Sequence, residues 1–179
     1  VWRGGLVYDS NRQKLVLVGT YSFWDGWGDM ATWEYDLTSG TWSRVQTQNS
    51  PPILIRFSFV YDANRQKAVL YGGVDFTGSQ PSYNTATWEY DGTDWTQVNT
   101  SHHPNACWDC RGAYDATNNR VLLFGGRDDQ GNTYNEVWAY DGTDWTLVHD
   151  GTGTAPTVRD WPSFCYCEFG TKQVCVLFG

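Results

Sequence analysis

The sequence predicts an all-β chain of repeated four-stranded antiparallel sheets, and three observations carry that prediction. One pattern occurs three times: Tyr8-Asp9, Tyr61-Asp62 and Tyr114-Asp115 lie 53 residues apart, and so do Gly19, Gly72 and Gly125. A period near fifty, punctuated by glycine and aromatic residues, marks a repeat architecture. Each copy also contains a short β-branched or aromatic run that ends on glycine: Leu15-Val16-Leu17-Val18, Ala68-Val69-Leu70-Tyr71 and Val121-Leu122-Leu123-Phe124. Such runs are buried strands. The composition agrees, with 19 Gly, 11 Trp, 11 Tyr and 8 Phe against a single Met, and no apolar stretch approaches membrane-spanning length.

Within each repeat the elements follow in order. A first strand ends in Tyr-Asp and turns through Ser10-Asn11-Arg12-Gln13, Ala63-Asn64-Arg65-Gln66 or Ala116-Thr117-Asn118-Asn119 into the buried second strand, which makes a hairpin. A polar loop follows the glycine. Then Trp33-Glu34-Tyr35, Trp88-Glu89-Tyr90 or Trp138-Ala139-Tyr140 forms a third strand, and the segment at Trp42, Trp95 or Trp145 a fourth. One such meander has too little apolar surface to stand alone, and stacking several radially buries the aromatic faces between them, which is the β-propeller solution. The predicted fold is therefore a β-propeller of four-stranded antiparallel blades, incomplete in this chain at three blades and a half. Blade one spans residues 1–50, blade two 51–103 and blade three 104–155, and 156–179 supply the first two strands of a fourth. The six tryptophans at repeat positions are expected to pack between blades, with Trp88 and Trp138 mostly buried. The run Val174-Cys175-Val176-Leu177-Phe178-Gly179 stops inside the motif, so the native protein is expected to continue for several strands or to be completed by another chain.

The Gly72-Gly73 and Gly125-Gly126 pairs, the Trp-x-Tyr-Asp step and the closing tryptophan together resemble the Kelch repeat over essentially the whole chain. The copies depart from it at Thr20, where the second glycine is lost, and at Ala139, where the acidic residue is lost. The resemblance implies a propeller whose post-glycine loops and first-strand lead-in loops meet at one end, where ligands bind. Projected onto this chain, that end holds Trp24, Asp25 and Trp27 in blade one, Arg56 and Asp75 in blade two, and Trp108, Arg111, Arg127 and Asp128 in blade three. Arginines there in Kelch adaptors grip acidic peptides, so an acidic peptide or an anionic sugar is a candidate ligand. The bland alternative is that these arginines pair with Asp109, Asp128 or Asp129.

Several stretches carry chemistry of their own. The loop between Gly19 and Trp33 places Trp24 and Trp27 beside Asp25 and Asp29, either as a stacking platform for a sugar or protein or as side chains folded back on a neighbouring loop. Asn99-Thr100-Ser101 is a glycosylation acceptor triplet in an inter-blade loop. The adjacent pair His102-His103 makes a poor chelate, because neighbouring side chains on an extended chain diverge. Five cysteines cluster in the last third, and Cys107, Cys110, Cys165 and Cys167 are read as a disulfide-forming group, with Cys175 left over. Buried free thiols and a zinc site remain the alternatives.

Charge and motif content bound the function. At a net charge of −8 the surface repels phosphate backbones, which makes nucleic acid an unfavoured partner. There is no membrane span, catalytic triad or phosphate-binding glycine motif, and no cofactor is expected. The low lysine content and abundant Thr, Asn, Gly and Trp point to an extracellular or cell-surface setting, or to the periplasm. The favoured reading is a non-enzymatic propeller that recognises a protein or glycan through loops at one end. The alternative is a Kelch-type enzyme, a galactose-oxidase-like copper oxidase or a sugar epimerase, with catalytic residues outside this segment.

Overall fold

The computed structural model describes residues 2–20, 29–105, 108–158, 163–169 and 172–178. Trp24, Asp25, Trp27 and Cys107 lie outside the described residues. The protein is all-β, and among the described residues no helix is long and apolar enough to cross a membrane. The first sheet is a meander of β1 (Trp2–Asp9), β2 (Lys14–Thr20), β3 (Met30–Asp36) and β4 (Thr41–Val45). The second contains β5 (Ser58–Asp62), β6 (Lys67–Tyr71), β9 (Thr87–Tyr90) and β10 (Trp95–Val98) in the order β10-β9-β6-β5. Its post-glycine loop is not merely polar coil: β7 (Val74–Asp75) and β8 (Ser82–Tyr83) pair there as a short ribbon. The third sheet runs β11 (Arg111–Asp115), β12 (Arg120–Phe124), β13 (Val137–Tyr140) and β14 (Trp145–His149), and a two-stranded hairpin of β15 (Ser163–Phe169) and β16 (Lys172–Phe178) follows.

The first strands β1, β5, β11 and β15 lie side by side in succession, so the sheets fan out as propeller-like blades around a common channel. The described sheets do not close a ring. The inner strands approach closely because of two glycines. A Cβ on Gly112 would fall 2.5 Å from Val60 Cγ2 and 2.6 Å from Ser58 Oγ, and one on Gly5 would fall 2.6 Å from Phe59 Cβ.

Strand alternation gives each sheet two faces, here called leading when turned toward the preceding sheet and trailing when turned toward the next. Val16 and Val18 on the trailing face of the first sheet meet Leu70, Tyr90 and Trp95 on the leading face of the second. Val60, Val69 and Tyr71 meet Val121, Leu123, Tyr140 and Trp145 in the same way. Both seams carry a matching polar set. Trp95 Nε1 donates to Thr32 Oγ1 and Trp145 Nε1 to Thr87 Oγ1, each at 2.8 Å. Tyr90 Oη donates to Glu34 and Tyr140 Oη to Glu89, each at 2.9 Å, and Tyr61 Oη donates to Asp9 at 2.6 Å. Arg12 bridges Asp9 and Glu34 beneath the ring of Tyr90, and Arg65 bridges Asp62 and Glu89 beneath that of Tyr140. The third sheet breaks this trailing pattern, since Val137 and Ala139 stand where Thr32 and Glu34, or Thr87 and Glu89, stand in the others.

One expectation about tryptophan needs correction, that all six repeat tryptophans pack between blades. Trp88 and Trp138 are largely buried against the two seams, as expected. The deep places belong to Trp95 and Trp145, each 1% exposed, because their indoles cross the seam to a buried threonine. Trp42, at the corresponding position of the first sheet, is 46% exposed and packs on no blade: it lies on a leading face that no described sheet covers.

Candidate functional site

A cleft of about 360 Å³ lies at the end of the channel where the inner strands begin, lined by Gly4, Gly5, Arg56, Phe57, Ser58, Phe59, Arg111 and Gly112. Its size falls in the range of small-ligand sites. Two arginines flank it. Arg56 immediately precedes the segment that becomes β5, and Arg111 opens β11.

Arg56 and Asp109 occupy the same repeat position 53 residues apart, and both adopt left-handed backbone, with φ of 61° and 57°. Non-glycine residues in that region are strained by roughly 1–3 kcal/mol each, and such strain persists where surrounding contacts hold it. Here Asp109 N donates to Arg56 O at 3.0 Å, and Arg56 Nη1 donates to Asp109 Oδ2 at 2.8 Å. Asp109 is buried, and its Oδ1 has no hydrogen-bond partner among the described residues. The Arg56 guanidinium also lies 4.9 Å from the ring centroid of Trp108, a cation–π distance.

The aromatic wall is tied down by the post-glycine loops. Trp108 bridges to Arg127 in antiparallel fashion, Arg127 bridges on to Thr133, and Trp108 Nε1 donates to Asp128 O at 2.9 Å. Tyr83, on the ribbon of the second sheet, packs at 5.9 Å against Trp108. Ile55 pairs with Val74 in the corresponding place one blade earlier. The structure thus brings Arg56, Trp108, Arg111, Arg127 and Asp128 to one end of the channel.

Their roles there differ. Arg56 and Arg111 reach the cleft. Arg111 Nη1 also donates to Cys110 O at 3.1 Å, which steadies the side chain. Asp128 serves its own loop: its carboxylate accepts from Gln130 N, Asn132 N, Asn132 Nδ2 and Tyr134 Oη. Desolvation pushes its pKa up, yet the bonds from Asn132 and Tyr134 prevail and hold it below the usual value. Asp75 likewise accepts from Thr77 N at 2.7 Å in a local turn. The pairing of Arg56 with Asp109 was the bland alternative, and it holds for Arg56.

The cysteines form no disulfide between the described pair. Cys110 is buried in the seam of the second and third sheets, whereas Cys165 is exposed on the channel side beside Phe164. Cys167 stands opposite Val174 and Cys175 opposite Tyr166 in the last hairpin. His102 Nδ1 lies 2.7 Å from Asp144 Oδ2 and His103 Nδ1 lies 3.0 Å from Pro104 O, so neither acts as a chelate with the other. Among the described residues no group of three or more metal-ligating side chains converges.

Sequence reasoning missed two participants. Tyr83 lies in the polar loop after the glycine pair of the second repeat, and a lone tyrosine beside Pro81-Ser82 in a polar stretch is itself a signal. Asp109 was treated only as a possible partner. Its spacing of 53 from Arg56 marks one repeat position that switches charge between blades.

No protein-family model matches the chain, and no curated protein matches it. Among solved structures it is similar to one described as "Structure of YjhT", with a TM-score of 0.67 and 13% sequence identity over 91% of this chain and 55% of that one. The chain spans about half the length of that structure. At this identity the likeness shows the fold alone, and it agrees with the propeller-like stacking of antiparallel blades.

Proposed function

We propose that this chain is part of a Kelch-type binding propeller whose ligand, an acidic peptide or an anionic glycan, docks a carboxylate between Arg56 and Arg111 at the channel mouth. The observation that carries this reading is the strained Arg56–Asp109 pair facing Arg111 across a ligand-sized cleft, with Trp108 and Tyr83 stacked alongside. Arg56 is paired with Asp109, and Arg111 is the second cation lining the cleft. An arginine fork suits a carboxylate bidentately, and an indole beside it suits the flat apolar face of a sugar or a side chain. The Kelch assignment draws support from the glycine pairs and the Trp-x-Tyr-Asp steps. An extracellular or surface setting belongs to the same reading, as does a disulfide from Cys110 or Cys165 to Cys107 or Cys167, which non-reducing peptide mapping would detect.

Calorimetric titration with uronate-containing oligosaccharides, neutral oligosaccharides and acidic peptides tests the proposal. Binding is expected for a carboxylate-bearing class and to weaken about tenfold or more in Arg111→Gln. Arg111→Gln leaves the Arg56–Asp109 pair in place, so folding is preserved. Equal affinity for neutral sugars, or binding indifferent to Arg111, would overturn the reading.

A further inference from the structure

The leading face of the first sheet carries the same donors that close both seams. Tyr8, Tyr35 and Trp42 stand in strand register with Tyr61, Tyr90 and Trp95 of the second sheet and with Tyr114, Tyr140 and Trp145 of the third. Tyr35 and Trp42 also hold the ring packing seen at the closed seams, with centroids 5.2 Å apart against 5.3 Å for Tyr90–Trp95 and 5.0 Å for Tyr140–Trp145. At both seams the third-strand tyrosine and the fourth-strand tryptophan reach a glutamate and a threonine of the preceding sheet, and at the first seam Tyr61 reaches Asp9, whereas Tyr114 Oη donates to Asn119 of its own turn. On the first sheet they reach no hydrogen-bond acceptor among the described residues, and Tyr8 and Trp42 are each 46% exposed.

We infer that this face is a docking surface for a further four-stranded sheet of the same repeat, one that presents an aspartate at the end of its inner strand and a Thr-x-Glu step on its third strand. The inference rests on the propeller reading but not on what binds at the channel mouth. Three observations define the occupant. Its acceptors are set by the three donors, since the third-strand tyrosine and the indole find glutamate and threonine at both closed seams and Tyr61 finds an aspartate at the first. Its hairpin turn differs at the arginine position: Leu37 follows Asp36 where Gly92 and Gly142 follow Asp91 and Asp141, and a Cβ on Gly92 would lie 2.7 Å from Arg12. The docking sheet therefore carries a shorter residue there, as the third sheet does with Asn118.

The third observation concerns how the occupant is joined. At both seams the linker entering the next blade is clipped to the aspartate before that blade's fourth-strand tryptophan: Asn49 to Asp94 and His102 to Asp144. Before Trp42 the residue is Thr41, so the clip is missing. A sheet that meets β1 to β4 without a clipped linker is a ring-closing sheet, and the similar structure has nearly half its length outside the match. We assign the occupant to the same polypeptide. A second copy of this chain does not fit, because the trailing face of its third sheet carries Val137 and Ala139 and lies beside the β15–β16 hairpin, which has two strands and so no third strand to present the Thr-x-Glu step.

Hydroxyl-radical footprinting by mass spectrometry, on the protein purified from its source cells and on the isolated 179-residue chain, tests the assignment. The source protein, shown monomeric by light scattering, is expected to protect Trp42 and Tyr8 to the level of Trp95, with that protection lost in the isolated chain. Oxidation of Trp42 in the monomeric source protein as fast as in the isolated chain would overturn the inference. So would protection that appears only in a dimer or with a second polypeptide. Arg111-dependent ligand binding that persists beside an exposed Trp42 would sink this inference and leave the binding proposal standing.

Discussion

The seam between the first two sheets and the mouth of the channel use the same kinds of side chain, arginine, carboxylate and tryptophan, to opposite ends. At the seam Arg12 donates to Asp9, Glu34 and the Gly92 carbonyl, and Arg65 repeats most of that arrangement one blade on. At the mouth the repeat position alternates between Arg56 and Asp109, the backbone is left-handed, Asp109 Oδ1 has no hydrogen-bond partner among the described residues, and Arg111 lines the cleft with Ser58 and Gly5. Repetition at the seam makes each blade complementary to its neighbour. Variation at the mouth breaks that repetition and sets charged side chains around a cleft.

The largest effect that would break this contrast is at the seam's indole. Trp95→Ala is expected to destabilise by ~3–5 kcal/mol, since a fully buried indole and its bond to Thr32 are both lost. Trp42→Ala in the same chain should cost much less, about 1 kcal/mol, because nearly half of its surface is exposed and no described sheet covers it. Urea unfolding monitored by circular dichroism compares the two, and similar losses would mean that the seam owes nothing special to Trp95.

Gly112→Val should follow, at ~1–3 kcal/mol or more, because the added carbons have no room between β11 and β5. Thermal unfolding that left Gly112→Val as stable as the parent would show that the inner strands are not in close contact.

Glu89→Gln is expected to weaken folding by about 2 kcal/mol near neutral pH, since three charge-assisted or buried bonds from Arg65, Lys67 and Tyr140 lose their carboxylate. The same residue sets a pH dependence. Burial pushes the pKa of Glu89 up, but the bonds from Lys67 and Arg65 prevail and hold it below the ordinary glutamate value, and Glu34 behaves likewise with Lys14 and Arg12. A depressed carboxylate contributes stability that is full above the unfolded pKa and lost as pH falls through the folded one. The melting temperature should therefore drop as pH descends below the glutamate range. Glu89→Gln should flatten that drop, and an unchanged slope would remove Glu89 from the seam's electrostatics.

The smallest effect on stability and the largest on binding should come from Arg111→Gln, within ~0.5 kcal/mol by thermal unfolding, because the side chain lines an open cleft and its bond to the Cys110 carbonyl lies within its own strand entry. A loss of several kcal/mol would show that Arg111 is a structural ion rather than a ligand contact.

The blades were legible because their signals are local. A strand, a Tyr-Asp corner, a turn and a glycine stop can be read within a dozen residues, and the 53-residue period aligns the copies. Which tryptophan goes deepest was not legible, since Trp88 and Trp95 carry equal weight in the motif and only the reach of the fourth strand to Thr32 separates them. The seam network was hidden in the turns, where Asn11-Arg12-Gln13-Lys14 and Asn64-Arg65-Gln66-Lys67 are identical although a turn alone needs neither basic residue. At the channel mouth the loop positions of Arg56, Trp108 and Arg111 could be placed from the repeat. The left-handed corner that pairs Arg56 with Asp109 depends on two chain segments meeting, and no single stretch announces it.

The replacement of threonine and glutamate by Val137 and Ala139 bears on how molecules of this kind avoid polymerising. A blade with donors on one side and acceptors on the other is a directional unit, and directional interfaces that do not close on themselves propagate into open filaments. With Thr32 and Glu34 copied into every blade, any exposed trailing face would accept the open leading face of another molecule. The third sheet carries two apolar side chains there instead, and β15 already lies beside it, with Ala139 buried and Phe164 packed on Phe124. Tyr35 and Trp42 of an arriving molecule would have to displace that hairpin and then bury their polar hydrogens against carbon, so head-to-tail growth at the third sheet is discouraged twice over.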